Sequence, residues 1–175
     1  IGYDFTQLET VLQAIASHPS LTNKKTSKPI GLKLPPYFDV PHFQSAARII
    51  NKYKSTISYV ATINTIGNAL SIDYKTEMAD IVPKGGYGGL SGSAVKYTAL
   101  ANVRRLHEFL DPEVKVIGVG GVSSGEDAFN MILCGASAVQ VGTCHWTEGG
   151  KCFERISNEL TSIMEEKGYK NIEEF

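Results

Sequence analysis

The sequence predicts an α/β fold of parallel strands joined by helical crossovers, and within that class one half of a (β/α)8 barrel. Two observations carry the expectation. Short apolar runs and amphipathic stretches alternate four times along the 175 residues, and such alternation means parallel strands with right-handed crossovers. The chain also opens abruptly at Ile1, without a methionine or a leader pattern, and reads as the continuation of something longer. Four units could close a small open sheet. A full barrel needs about 250 residues, and the abrupt start favours the C-terminal half-barrel, spanning 1–175 with the N-terminal half outside the chain.

The elements follow in order. Leu8, Val11, Leu12 and Ile15 recur at i, i+3, i+4 and i+7, and Thr6 with Glu9 forms a candidate capping box, so residues 5–17 are read as helix. A polar loop leads to "PIGLKL", a strand halted by Pro35 and Pro36. Phe43, Ala46, Ala47 and Ile50 mark a helix near 41–53, and "ISYVATI" is the next strand. Residues 64–93 form a long excursion whose alternating runs, 69–73 and 78–82, predict a hairpin before a glycine-rich loop. Leu100, Val103, Leu106 and Leu110 give a helix over 98–110. "VKVIGV" is a strand, 124–134 a helix, "SAVQV" a strand, and 149–167 a closing helix capped by Gly168.

Composition limits the function classes. A net charge of -1 and 42% hydrophobic residues describe an ordinary globular domain with a sizeable core, with nothing that points to nucleic acid or membrane. Lys24, Lys25 and Lys28 sit among Thr, Ser and Asn and read as a solvated loop. No apolar run reaches the roughly 20 residues of a membrane span. Cys134, Cys144 and Cys152 are odd in number and lack metal-ligand spacing, so cytosolic thiols are the default.

Ligands of parallel α/β folds sit beyond the carboxyl ends of the strands. There the strands deliver Lys33, then Asn64 and Thr65, then Gly120 and Gly121, then Gly142 and Thr143, while the excursion adds Gly88, Gly89 and Gly92. Gly120-Gly121 followed by Ser123 at a helix start suits an anion, since free N–H groups and the helix dipole face outward. Gly142-Thr143 repeats the arrangement one strand later. Tight turns and a capping serine explain one such loop; two adjacent loops favour phosphate. Lys33 either snorkels from a strand end or meets an anionic partner inside the barrel. Asn64 and Thr65 suit a planar polar heterocycle, or serve local loop chemistry with Asn68. His42, His107 and His145 are isolated, Cys144 lacks a base nearby, and HExxH, CxxC, GxSxG and Walker patterns are absent.

Taken together, "GLKLPPYFD", "INTIGNAL", "GGYGGLSG", "TALANVR", "GVGGVSSGEDAF", "GASAVQVGT" and "EEKGYKNIEEF" resemble the dihydroorotate dehydrogenases, FMN-dependent (β/α)8 enzymes of pyrimidine synthesis. The strings stand in the family's order and cover nearly the whole chain. "GVGGVSSG" and "GGLSG" also look like the membrane-associated class, whereas "LPPYFD", "NTIGN", "TALANVR" and the C-terminal "KGY…IEEF" are similar to the soluble, homodimeric, fumarate-using class 1A.

The resemblance implies a role for each matching position. Lys33 matches the lysine that contacts the flavin ring and stabilises its reduced, anionic form. Asn64 and Thr65 match the pair that binds the pyrimidine. Ile63, Gly92, Val119, Gly120, Gly121, Gly142 and Thr143 match the flavin cradle, Val119 standing where some members carry cysteine. Ser91 departs from the "GGxGG" form of many soluble members, and Ala69 from a common glycine. In the family a cysteine base lies upstream of residue 1, and none of the three cysteines here matches it, so no catalytic residue is expected within this chain. The implied activity is FMN-dependent oxidation of dihydroorotate to orotate in UMP biosynthesis, with fumarate reoxidising the flavin, in a cytoplasmic homodimer. The chain alone is expected to be inactive. Alternatives are another FMN barrel resembling dihydropyrimidine dehydrogenase, or a phosphate-binding half-barrel without redox chemistry.

Overall fold

A computed structural model describes residues 2–22 and 28–175; Lys24 and Lys25 of the basic cluster lie outside them. Strands β1 (Ile30–Lys33), β2 (Ile57–Thr62), β7 (Lys115–Val119) and β8 (Ala138–Gln140) form one sheet in the order β1-β2-β7-β8. All three pairings are parallel. A sheet whose spatial order follows chain order is wound in one direction, and right-handed crossovers then put every connecting helix on the same face. This is the arrangement of part of a (β/α)8 barrel rather than of a doubly wound sheet.

Helices α1 (Phe5–Ala16), α3 (Val40–Lys52), α4 (Lys96–Phe109), α5 (Gly125–Leu133) and α7 (Lys151–Lys167) make the outer layer, each packed on its neighbour in that order. Short helices α2 (Pro19–Thr22) and α6 (Thr143–Glu148) follow α1 and β8. The core lies between sheet and helices. Val60 and Val116 on the outer sheet face meet Ile50 of α3, Val103 and Leu106 of α4 and Met131 of α5, all essentially inaccessible to solvent. Buried Asn102 pins the turn after β1 to α4. Its Oδ1 accepts from the Tyr37 N–H at 2.8 Å, and its Nδ2 donates to the Tyr37 and Thr98 carbonyls at 3.0 and 2.9 Å.

Several local expectations change. Asp4, rather than a Thr6–Glu9 box, caps α1 by accepting from the Gln7 N–H. The β-region backbone of Asp4 allows this, whereas Thr6 already lies inside the helix. Helix α4 begins at Lys96 instead of 98. The closing helix begins at Lys151, with α6 formed separately before it and Gly149 in a left-handed conformation between them (φ 66°). The excursion folds as two antiparallel ladders. β3 (Ile66–Leu70) pairs with β6 (Tyr87–Leu90), and β4 (Ile72–Asp73) with β5 (Met78–Ala79).

Candidate functional site

Parallel register brings the strand ends to one edge. Lys33 aligns with Ala61, Thr62 with Gly118, and Val119 with Gln140, so whatever follows each strand opens on the same side. A cavity of about 360 Å³ lies there. Lys33 borders it from β1, and Ile63, Asn64 and Thr65 from the segment after β2. Val119, Gly120 and Gly121 border it after β7, Gly142 and Thr143 after β8, and Gly92 from the excursion. Every residue singled out from the sequence as a cofactor or pyrimidine contact is therefore on one wall or another of a single cavity.

Lys33 is exposed by area, yet burial of its ammonium lowers its pKa below the usual lysine value. No carboxylate among the described residues pairs with it. Its neighbour Leu34 is buried on the opposite face, as alternation along a strand requires. The side chains of Asn64 and Thr65 make no hydrogen bond to the described protein. The Asn64 main chain is fixed instead, its N–H donating to the Leu34 carbonyl at 2.9 Å. Thr65 packs over Gly89, where an added Cβ would lie 2.1 Å from Oγ1.

The glycine turns divide into two kinds. Gly120 and Gly121 have φ of 129° and 76°, and a Cβ on either would strike α4: Ala99 Cβ at 2.9 Å from the first, Lys96 Cβ and Cα at 2.7 and 2.9 Å from the second. The fold itself demands glycine at both, independently of any ligand. Gly142 differs: nothing lies within 4 Å of a Cβ built there, so only the open cavity meets that position. The main-chain N–H groups of Gly120, Gly121, Gly142 and Thr143 find no acceptor among the described residues.

The expected anion site at the start of α5 is also corrected. The cap is Ser124, not Ser123, and its side chain accepts from the Asp127 N–H. The Ser123 N–H and hydroxyl both donate to Asp127, at 3.0 and 2.9 Å, and the Gly125 N–H donates to Glu159 at 2.7 Å. The protein's own carboxylates already occupy that helix end. Burial works against ionisation of Asp127, but hydrogen bonds from Lys96 and Ser123 outweigh it and hold the carboxyl below the usual range. Main-chain N–H groups without an acceptor among the described residues thus remain in the 120–121 turn and in Gly142-Thr143.

Other lining residues were not singled out from the sequence as contacts, among them three from α6. Thr147, Glu148 and Cys144 lie on the cavity wall from α6, an element of six residues too short to show periodicity. The Cys144 thiol donates to Glu148 at 3.3 Å; burial first, then that carboxylate, pushes its pKa up. It is a poor nucleophile or base. No group of three or more potential metal ligands occurs among the described residues, and none of their helices is long and apolar enough to cross a membrane.

The profile of the family described as dihydroorotate dehydrogenase matches residues 4–164. The chain belongs to the dihydroorotate dehydrogenase family. A protein of Saccharomyces cerevisiae named dihydroorotate dehydrogenase (fumarate) is 48% identical over 175 residues. One of Saccharomyces bayanus bearing the same name is 47% identical. A protein of Enterococcus faecalis described as a "probable dihydroorotate dehydrogenase A (fumarate)" is 49% identical. Each similarity covers 100% of this chain and 53% of the relative, so the chain spans about half the length of these dihydroorotate dehydrogenase relatives.

Proposed function

We propose that this chain is the C-terminal half of an FMN-dependent dihydroorotate dehydrogenase of the fumarate-using class, acting in pyrimidine synthesis. In this reading it supplies the flavin-phosphate cradle and part of the pyrimidine site. The observation that carries the reading is the convergence on one cavity of an unpaired ammonium, a free amide-hydroxyl pair and unpartnered main-chain N–H groups. These residues fit the group the family implies. Unpartnered N–H groups at 120–121 and 142–143 suit a phosphate ester, with Gly142 leaving it room. When bound, FMN supplies the two-electron acceptor for oxidation of dihydroorotate.

The chain's own residues do the rest of this half's work. Lys33 holds a positive charge at the ring end of the cavity, where burial lowers its pKa; an anionic ring system beside it would offset that cost. Asn64 offers a donor and an acceptor, and Thr65 a hydroxyl, toward a planar pyrimidine. The complementary half-barrel, a second copy in a homodimer, and fumarate as acceptor belong to the same reading, as does a cytoplasmic setting.

The longest natural polypeptide containing this chain should purify yellow and bleach anaerobically with dihydroorotate. Bleaching by dihydrouracil with reduced nicotinamide instead would favour a dihydropyrimidine dehydrogenase-like enzyme, and a colourless protein that binds phosphate would favour a non-redox module. Lys33→Ala should weaken FMN binding and slow bleaching; unchanged affinity would remove Lys33 from the site.

A further inference from the structure

Glu148 poses a problem for an anion site. Among the described residues it is the one carboxylate on the cavity wall, and an uncompensated carboxylate there repels a phosphate. Arg155 of α7 takes both its oxygens: Nε donates to Oε2 at 2.9 Å and Nη2 to Oε1 at 2.7 Å. The same guanidinium donates through Nη1 to Glu159 at 2.8 Å and through Nη2 to the Ser123 carbonyl at 3.0 Å. It also lies 3.5 Å from Cys144 Sγ. Glu159 in turn receives the Gly125 N–H. One side chain thereby joins α6, α7 and residues 123–125, the continuation of the Gly120-Gly121 turn. Partly exposed ion pairs of this kind add little to stability, so their value lies in where they are.

We infer that Arg155 is a positioning residue for a phosphate-bearing ligand: it neutralises Glu148 on the cavity wall and fixes that carboxylate, and with it α6, against Ser123 and α7. This rests on the phosphate-cradle reading above. A planar guanidinium is required, because a lysine ammonium could not span Glu148, Glu159 and the Ser123 carbonyl at once.

The test is FMN titration by fluorescence quenching, with inorganic phosphate as competitor, on the longest natural polypeptide containing this chain. Arg155→Gln should weaken FMN binding by roughly tenfold, as expected of one uncovered charge near a partly screened anion, and added salt should shrink the difference. The double variant Arg155→Gln/Glu148→Gln should regain most of the loss, because the repelling charge is gone. A purely structural Arg155 gives a double variant no better than the single one, which overturns the inference, as does an Arg155→Gln protein that binds like wild type. If Arg155→Gln fails to fold, Glu148→Gln alone decides: tighter FMN binding supports the inference, and unchanged or weaker binding overturns it. A wild-type protein that binds neither FMN nor phosphate removes the cradle reading itself, a result distinct from either failure.

Discussion

Single residues at the strand ends separate what the fold needs from what a ligand needs. Gly121→Ala places a methyl 2.7 Å from Lys96 Cβ at a left-handed φ and should cost about 1–3 kcal/mol. Gly142→Ala meets nothing within 4 Å, so stability should change by less than about 0.5 kcal/mol while FMN affinity falls. Urea unfolding alongside FMN titration checks the pair; equal loss of stability in both would remove the distinction. Asp127 gives a pH signature. Its folded pKa is depressed, with hydrogen bonds from Lys96 and Ser123 overcoming the opposing effect of burial. Its contribution is therefore present above the unfolded carboxylate value and lost as pH falls through the lower folded one. Melting temperature followed downward from about pH 6 should fall less steeply in Asp127→Asn than in the parent, from a lower starting point.

At the level of elements, close helix packing explains a glycine that capping rules leave unaccounted for. Gly125 opens α5 where an added Cβ would lie 2.4 Å from both Glu159 Cβ and the Leu160 main-chain nitrogen of α7. Gly125→Ala must push the two helices apart, and overpacking of this kind costs about 1–3 kcal/mol; a lowered urea midpoint with an unchanged slope is the expected result. The same elements show what the sequence could reveal. α3 and α4 were legible because their apolar residues recur at the helical period over about two to three turns. The strand ends were legible because the short apolar runs stop there, and Lys33, Asn64, Thr65, Gly142 and Thr143, read at those ends, do line one cavity. The β3–β6 ladder was not: its strands are far apart in sequence, are interrupted by Gly67, Gly88 and Gly89, and turn through Asn68 at φ 62°. The Arg155–Glu148 pair crosses two helices separated by Gly149-Gly150, and no spacing rule encodes such a contact.

For the whole molecule, the inner face of the sheet decides what the chain can do alone. Tyr59, Ile117 and Val119 are only half-buried there, and Lys115, Ala138 and Gln140 are exposed. Among the described residues, β1 and β8 each have one edge without a partner strand in the sheet. Open edges and an uncovered apolar face invite association. Chemistry sets a second limit. Removing a proton from dihydroorotate needs a base, and the described cavity wall offers poor ones: Arg155 holds the Glu148 carboxyl below the usual range, Cys144 is pushed up by burial, and Lys33 is, in the proposed reading, the cation of the site. The 175-residue chain should therefore form no orotate even when given FMN, measured by the rise in ultraviolet absorbance of the product. Supplying the complementary half-barrel of a relative should lower the binding of an apolar dye such as ANS and restore turnover. Orotate formation by the isolated chain would mean that a base within these residues has been misjudged, with Cys144 the first to replace by serine.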